Sequence, residues 1–482
     1  MQTNDALTLN GATTNSTSSK KCVDLFFIAG ASRTMSEEQI TTMWFQAFNE
    51  DMLTALTILF WARDVRGGAG ERRFFRIIWN ALNEPDIRNS WSSFLHTDIA
   101  RLIPEFGRWD DIWKIDNFQP VMSNIMAIEL SKIDNDSYRS MYSLLPKWMP
   151  RKGKIFEMVR KRMKLTPKEL RKLIVKHSNT PEQLMCTNNF NFIDYKSVPS
   201  VAFARYKRAF LKHDETRFNM FLEDVENGKS KVNANAVFPH DIIKGLDDAT
   251  DATQAQWDAL PDYMANCNSK ILPLCDVSGS MSIHVSGNTT AMDICIALGM
   301  YISERNEGIF KDAFITFSEN PQINYVRGDN LYQRYKSLHS ANWGYNTNIK
   351  KVFSTLLDKA ENNNISPNDM PDTILIMSDM EFDKASEDAF GYTNFEVIAE
   401  KYNQSGYKMP QIVFWNLNGR IGNVPVTANK ENFALISGFS PAILQSVLSM
   451  DTDSFSPEAI MNKTLSNPRY DSIRQSFSHF MD

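Results

Sequence analysis

The 482-residue chain has no pair of cysteines at CxxC spacing; its five, Cys22, Cys186, Cys267, Cys275 and Cys295, are scattered. That scatter argues against a zinc site and for a reducing compartment, so a cytoplasmic location is expected. No apolar run approaches the roughly 20 residues of a membrane span, which excludes a membrane protein of that kind. The seven histidines form no HExxH motif and no evident triad. His284 lies near the most oxygen-rich loop but reads as a surface histidine. The opening MQTNDALTLNGATTNSTSSK lacks a basic start and an apolar core, so no secretory leader is expected and residues 1–21 read as a disordered polar tail. A net charge of −5 suggests by itself neither nucleic acid nor membrane.

What is present is enough apolar matter for a large interior. At 43% hydrophobic and 11% aromatic the chain is not globally disordered, and its length calls for two or three domains. Residues 22–246 read as helices and short turns. In SEEQITTMWFQAF, Ile40, Met43, Trp44 and Ala47 share one face, and Ser36 with Gln39 form a capping box. DMLTALTILFWARDV is apolar almost all round, as a helix covered on both sides would be. An all-helical, paired-helix or solenoid-like domain follows. After a linker at 247–267, residues 268–482 change grammar. ILPLC, DAFITFS, TILIMSD and QIVFWNL are short apolar runs alternating with amphipathic segments, which predicts a parallel sheet covered on both faces. The fold class is therefore multidomain, all-α followed by doubly wound α/β. A ligand crevice is expected at the carboxyl ends of the strands.

ILPLCDVSGSMS runs out of a strand into Asp276, Ser278 and Ser280. Thr347, in NWGYNTNIKK, precedes a long helix, and Asp379 closes TILIMSD. Two carboxylates and three hydroxyls from strand-end loops make an all-oxygen pocket suited to Mg²⁺, with Mn²⁺ or Ca²⁺ as alternatives. The plainer reading is that the serines cap a helix and Asp379 terminates a strand. A two-metal nuclease needs several convergent carboxylates, which Asp276, Asp379, Glu381 and Asp383 could supply.

The segment from Pro146 to Lys176 carries twelve Lys or Arg against Glu157 and Glu169. Arg151, Lys152, Lys154, Arg160, Lys161, Arg162, Lys164, Lys168, Arg171 and Lys172 are its candidate phosphate contacts, the alternative being a solvated helix face. Trp148, Phe156 and Met158 interleave at helical spacing and read as core. A second basic knot, WARDVRGGAGERRFFR, gathers Arg63, Arg66, Arg72, Arg73 and Arg76 around a glycine turn. No Lys-Ser or Lys-Thr follows, so it is no phosphate-binding loop, and the glycines read as a sharp turn between helices.

Two resemblances rest on these stretches. DVSGSMS, the Thr347 loop and IMSDMEFD are similar to the metal-ion-dependent adhesion site of von Willebrand factor A domains. The resemblance covers about Asn268 to the C-terminus. It implies that Ser278, Ser280 and Thr347 ligate Mg²⁺, with Asp276 and Asp379 acting directly or through water. Here the threonine loop reads GYNTN, and Asp379 is followed by Met380 and Glu381 where the family has glycine. RDVRGGAGERRFF, EFGRWDDIW, KWMP and YKSVPSVAFARYKRAFLKHDETRFNMFLEDVENGKSKVNANAVFPHDI resemble the TROVE-related helical module of Ro ribonucleoproteins. They resemble still more closely an uncharacterised family that pairs such a module with an A domain. That resemblance implies HEAT-like helices binding small structured or misfolded RNA. Together they imply a non-catalytic RNA-binding scaffold whose Mg²⁺ site recruits an acidic protein ligand. The alternatives are a protein–protein assembly factor without RNA, or a metal-dependent phosphodiesterase.

Overall fold

The computed structural model describes residues 5–82, 84, 100–113, 120–134, 144–178, 180–244, 246, 250–265, 269–316, 321–339, 349–382, 395–448 and 455–481. Strands β3 (Ile271–Cys275), β6 (Ala313–Thr316), β7 (Ile323–Tyr325), β8 (Thr373–Ser378), β9 (Gln411–Asn416) and β10 (Phe433–Ser437) build one sheet in the order β10-β9-β8-β3-β6-β7. Two small hairpins stand outside it, β1 (Ala6–Leu7) with β2 (Thr13–Thr14) and β4 (His284–Ser286) with β5 (Thr289–Thr290). Five strands run parallel and are buried at every residue, which is why each reads as an unbroken apolar run. The expectation of a wholly parallel sheet needs one correction. β7, INY, pairs antiparallel at the edge and is only half-buried, so it carries no such run.

From β3 the chain moves to β6 on one side and later to β8 on the other. The strand order thus reverses between β3 and β8, the place where open α/β sheets take ligands at the carboxyl ends of their strands.

The helical and α/β regions are not physically separate. Helix Lys21–Ala29 is buried from Cys22 to Ala29 and packs on the β10 side of the sheet, where a Cβ on Gly30 would lie 2.4 Å from the Ser437 carbonyl oxygen. Ser437 Oγ donates to the Phe26 carbonyl at 2.9 Å and accepts from Gly30 N–H at 3.0 Å. Helix Met52–Arg63, apolar all round as the sequence suggests, is buried from Ala55 to Arg63. One apolar core accordingly runs from Cys22 through Met122 and on through the sheet to Ile473. Two satellite cores lie at Met126–Ile174 and Phe190–Ala252. Across the junction, fully buried Asp64 is ion-paired to Arg469 and accepts from the Tyr470 hydroxyl at 3.3 Å.

Two segments expected to be irregular hold regular structure among their described residues. Residues 247–267 include helix Thr250–Asp258, whose Trp257 is buried and donates to Glu304 Oε2 at 2.7 Å. Residues 5–20, read as a disordered tail, fold back on the α/β region. Beyond the β1–β2 hairpin, Asn15 N–H donates to the Val424 carbonyl and the Val424 N–H to that of Asn15. A polar segment carries no periodicity, and its order comes from partners about 400 residues away. No described helix is long and apolar enough to cross a membrane.

Candidate functional site

At the β3–β8 crevice, the Asp276 N–H donates to the Met377 carbonyl at 3.0 Å, extending the ladder one residue past β3. Its carboxylate accepts from Ser278 N–H at 2.9 Å and from Ser378 Oγ at 2.5 Å, so both oxygens are fixed. Ser278 Oγ lies 3.0 Å from Ser280 Oγ. The short helix Gly279–Ser282 that follows takes no side-chain cap from Ser278, so helix capping does not account for these hydroxyls. Asp379, just past β8, accepts from Glu381 N–H at 3.3 Å, and the nearby Ser280 hydroxyl favours its ionised form. Burial and the neighbouring Asp276 charge push the Asp379 carboxyl up to about 7. Two buried carboxylates pressed together beside two hydroxyls form a donor set that fits a hard divalent cation. Among the described residues no three His, Cys, Asp or Glu side chains gather as metal ligands, so a cation here would need the serines.

The structure brings Asp276, Ser278, Ser280 and Asp379 together. Thr347 and Asp383 lie outside the described residues. Glu381 is near in sequence but its carboxylate is engaged elsewhere: it meets Arg420 Nη1 at 3.1 and 3.2 Å, Asn423 Nδ2 at 3.2 Å and the Leu9 N–H at 2.5 Å.

A second site lies among the helices. A cavity of about 1350 Å³ is lined by ten Arg or Lys and four Asp or Glu side chains. Every helical motif singled out in the sequence reaches it: Arg66, Gly70, Arg72 and Arg73 from RDVRGGAGERRFF, Gly107 and Arg108 from EFGRWDDIW, Lys147 and Trp148 from KWMP, Arg205 and Tyr206 from VPSVAFARY, and Phe238 and His240 from VFPHDI. The acids of EFGRWDDIW organise the basic knot behind it. Asp111 takes Arg63 Nη2 at 2.7 Å and Arg76 Nη2 at 2.6 Å, while Asp110 is paired to Arg108. Arg108 in turn lies 3.9 Å over the Trp148 ring.

The pairing does not close. Arg72 and Arg205 have no hydrogen-bond or ion-pair partner among the described residues, and Arg151 meets only Ser178 Oγ at 3.5 Å. Desolvation, then repulsion from Arg108 and Arg63, lowers the Arg72 guanidinium from its ordinary value to about 10. Such a site is short of negative charge. Trp148 Nε1 and His240 Nδ1 are also buried without a partner. Burial drives His240 down to about 4, keeping it neutral.

Of the candidates from 151 to 172, only Arg151 lines this cavity. Lys152, Lys154, Lys161, Arg162 and Lys164 are exposed, and Arg160 is tied to Glu157 at 2.8 Å. Lys168, Arg171 and Lys172, with Val175 and Lys176, line a separate depression of about 640 Å³. Phe156 is core as expected, whereas Trp148 is half-buried beneath Arg108. Arg205 lies outside the dense charge of 146–176, and its signal in the sequence is an arginine in a motif with no acid nearby.

The glycine turn is structural, for a reason other than left-handed backbone at each glycine. Gly70 has φ +70°, but Gly68 is needed because a Cβ there would lie 1.9 Å from the Trp61 carbonyl oxygen. The Ala69 N–H donates to that same oxygen at 3.1 Å, folding the chain back along the helix end.

Comparison with known proteins gives the following likenesses. A family model described as a domain of unknown function, DUF7788, matches residues 270–476. Another of unknown function, DUF2828, matches residues 8–86 and 125–269. The uncharacterized protein L728 of Acanthamoeba polyphaga mimivirus is 30% identical, over 95% of this chain and 86% of its own length. Among solved structures, the RO (RSR) protein of Deinococcus radiodurans aligns over 93% of this chain and 99% of its own, at 14% identity and TM-score 0.34. At that distance the likeness bears no functional weight.

Proposed function

This chain belongs to one family with the mimivirus protein L728, and for it we propose a non-catalytic RNA-binding scaffold. The single observation that carries the reading is the cavity lined ten to four in favour of cations, with Arg72 and Arg205 unpartnered. Arginines with no carboxylate at ion-pair distance are suited to bidentate phosphate contacts, and each phosphate neutralised adds affinity by counterion release. Trp148 and Tyr206 add aromatic side chains to the lining, Trp148 with Arg108 stacked on its ring. Lys147 and Arg151 belong both to the cavity and to the basic segment 146–176, so one small structured RNA would run from the exposed helices inward.

The crevice site supplies the second half of the reading. Ser278, Ser280 and Asp379, with Asp276 and Thr347 as the remaining candidates, would hold Mg²⁺. The ion would supply a Lewis-acidic position for a carboxylate from an acidic protein partner. This chain's residues orient that position: Ser378 and the Ser278 N–H fix Asp276, and the Glu381 N–H holds Asp379. With Glu381 committed to Arg420, the carboxylate count that a two-metal nuclease needs falls by one.

RNA should copurify with the protein at low salt and leave at high salt. Absence of nucleic acid at both would favour the assembly-factor reading. Saturating Mg²⁺ should raise the melting temperature by mass action, and Asp276→Ala should abolish the shift without altering RNA binding.

A further inference from the structure

We infer that Glu381 and Arg420 are positioning residues for the crevice cation site, acting through the backbone of 379–382 and clamped there by the N-terminal hairpin. The inference rests on the Mg²⁺ reading above and concerns residues outside the donor set.

Glu381 is 4% exposed, although it is a carboxylate two residues beyond Asp379. A buried carboxylate demands partners, and this one has them in Arg420, Asn423 Nδ2 and the Leu9 N–H. Its backbone reaches the site directly, the Glu381 N–H donating to Asp379 Oδ1 at 3.3 Å. The surrounding backbone is held as firmly. Asn423 Nδ2 donates to the Met380 carbonyl at 2.9 Å, Asn10 Nδ2 to the Glu381 carbonyl at 2.7 Å and Thr8 Oγ1 to the Phe382 carbonyl at 2.7 Å. The Met380 N–H donates to Ser378 Oγ, the hydroxyl that also donates to Asp276. Met380 itself has φ +65°, a left-handed conformation that a non-glycine residue keeps only where its surroundings impose it. The salt bridge, the hairpin and Asn423 are those surroundings. Loosening them would let the 379–381 backbone relax, withdrawing the N–H from Asp379 and disturbing Ser378 beneath Asp276.

The sign of one substitution separates this from a charge effect. Arg420 is a cation beside a cation site, so on charge alone its removal should tighten Mg²⁺ binding. Positioning predicts the reverse, and loss of such outer supports typically weakens metal binding about 10- to 100-fold. The experiment is Mg²⁺ calorimetry on the full chain and on Arg420→Ala, Arg420→Lys and Glu381→Gln, with the metal-free melting temperature of each. We expect Arg420→Ala to bind at least about ten-fold more weakly with one ion still bound. Arg420→Lys should recover part of the loss and Glu381→Gln should resemble Arg420→Ala in metal binding, while the metal-free melting temperature should fall in Arg420→Ala because the buried Glu381 carboxylate loses its charge partner, so binding is compared below that temperature. Unchanged or tighter binding in Arg420→Ala would overturn the inference. Complete loss of binding in Glu381→Gln, as for Asp276→Ala, would make Glu381 a direct ligand instead. No binding by the unsubstituted chain would overturn the metal reading itself and this inference with it.

Discussion

At the scale of single residues, much of what shapes the candidate sites is a contact invisible in a local window. Gly68 looks like a flexible turn residue, yet what fixes it is the Trp61 carbonyl oxygen in the place of a Cβ. Gly68→Ala should therefore lower the melting temperature markedly, by a loss of several kcal/mol, because a backbone oxygen cannot step aside. Gly279→Ala, where nothing lies within 4 Å of the new Cβ, should change stability by less than about 0.5 kcal/mol in the same thermal melts. His240 gives the pH-dependent counterpart. Burial lowers its folded pKa to about 4, with Asp241 and Asp293 opposing and Lys244 and Arg33 assisting. The unfolded chain takes up the proton first on acidification, near the ordinary value of 6.5. The contribution is therefore complete above pH 6.5 and lost as pH falls toward 4, amounting to about 3 kcal/mol. Urea midpoints at pH 7 and pH 4.5 should show a smaller drop for His240→Gln than for the unsubstituted chain.

At the scale of elements, the outer basic helices and the cavity are distinct surfaces with distinct tests. Lys168, Arg171 and Lys172 stand exposed on helix Pro167–Ser178, whose buried face is Leu170, Leu173 and Ile174, so neutralising them leaves that face intact. The triple Gln variant should keep its melting temperature, weaken RNA binding alike across sequences and lower the slope of log K against log salt. An unchanged slope would take RNA off this face. Legibility in the sequence divides along the same line. The five parallel strands were legible because they are buried on both faces, and the Ser36–Gln39 capping box because its chemistry is local. Strand β7 and helix Thr250–Asp258 were not, since an edge strand and a short polar helix carry little periodic apolar signal. In the crevice, Asp276, Ser278, Ser280 and Asp379 could be grouped by their places at strand ends. The burial of Glu381 against Arg420 and Leu9 could not, because its partners lie 39 and 372 residues away.

At the scale of the whole molecule, one core spans what the sequence divides at 247–267. Helix Lys21–Ala29 on the sheet and the Asp64–Arg469 pair should make unfolding of these parts a single calorimetric transition. Arg469→Leu should lower its midpoint by leaving the buried Asp64 carboxylate without its charge partner, at a cost of a few kcal/mol. The same joining holds the cavity open: Arg33 stacks 4.4 Å over Phe439 of the α/β region, and Val285 and Ser286 of the β4–β5 hairpin reach the cavity wall. The claim on which the functional account turns is that this cavity binds RNA phosphates through arginines left unpaired in the fold. Its most direct test is the salt dependence of RNA binding by the double variant Arg72→Ala, Arg205→Ala, in protein whose melting temperature is unchanged. The account predicts weaker binding to every sequence and a log K–log salt slope shallower by about two, one for each lost phosphate contact. The same affinity and the same slope in the double variant would contradict it.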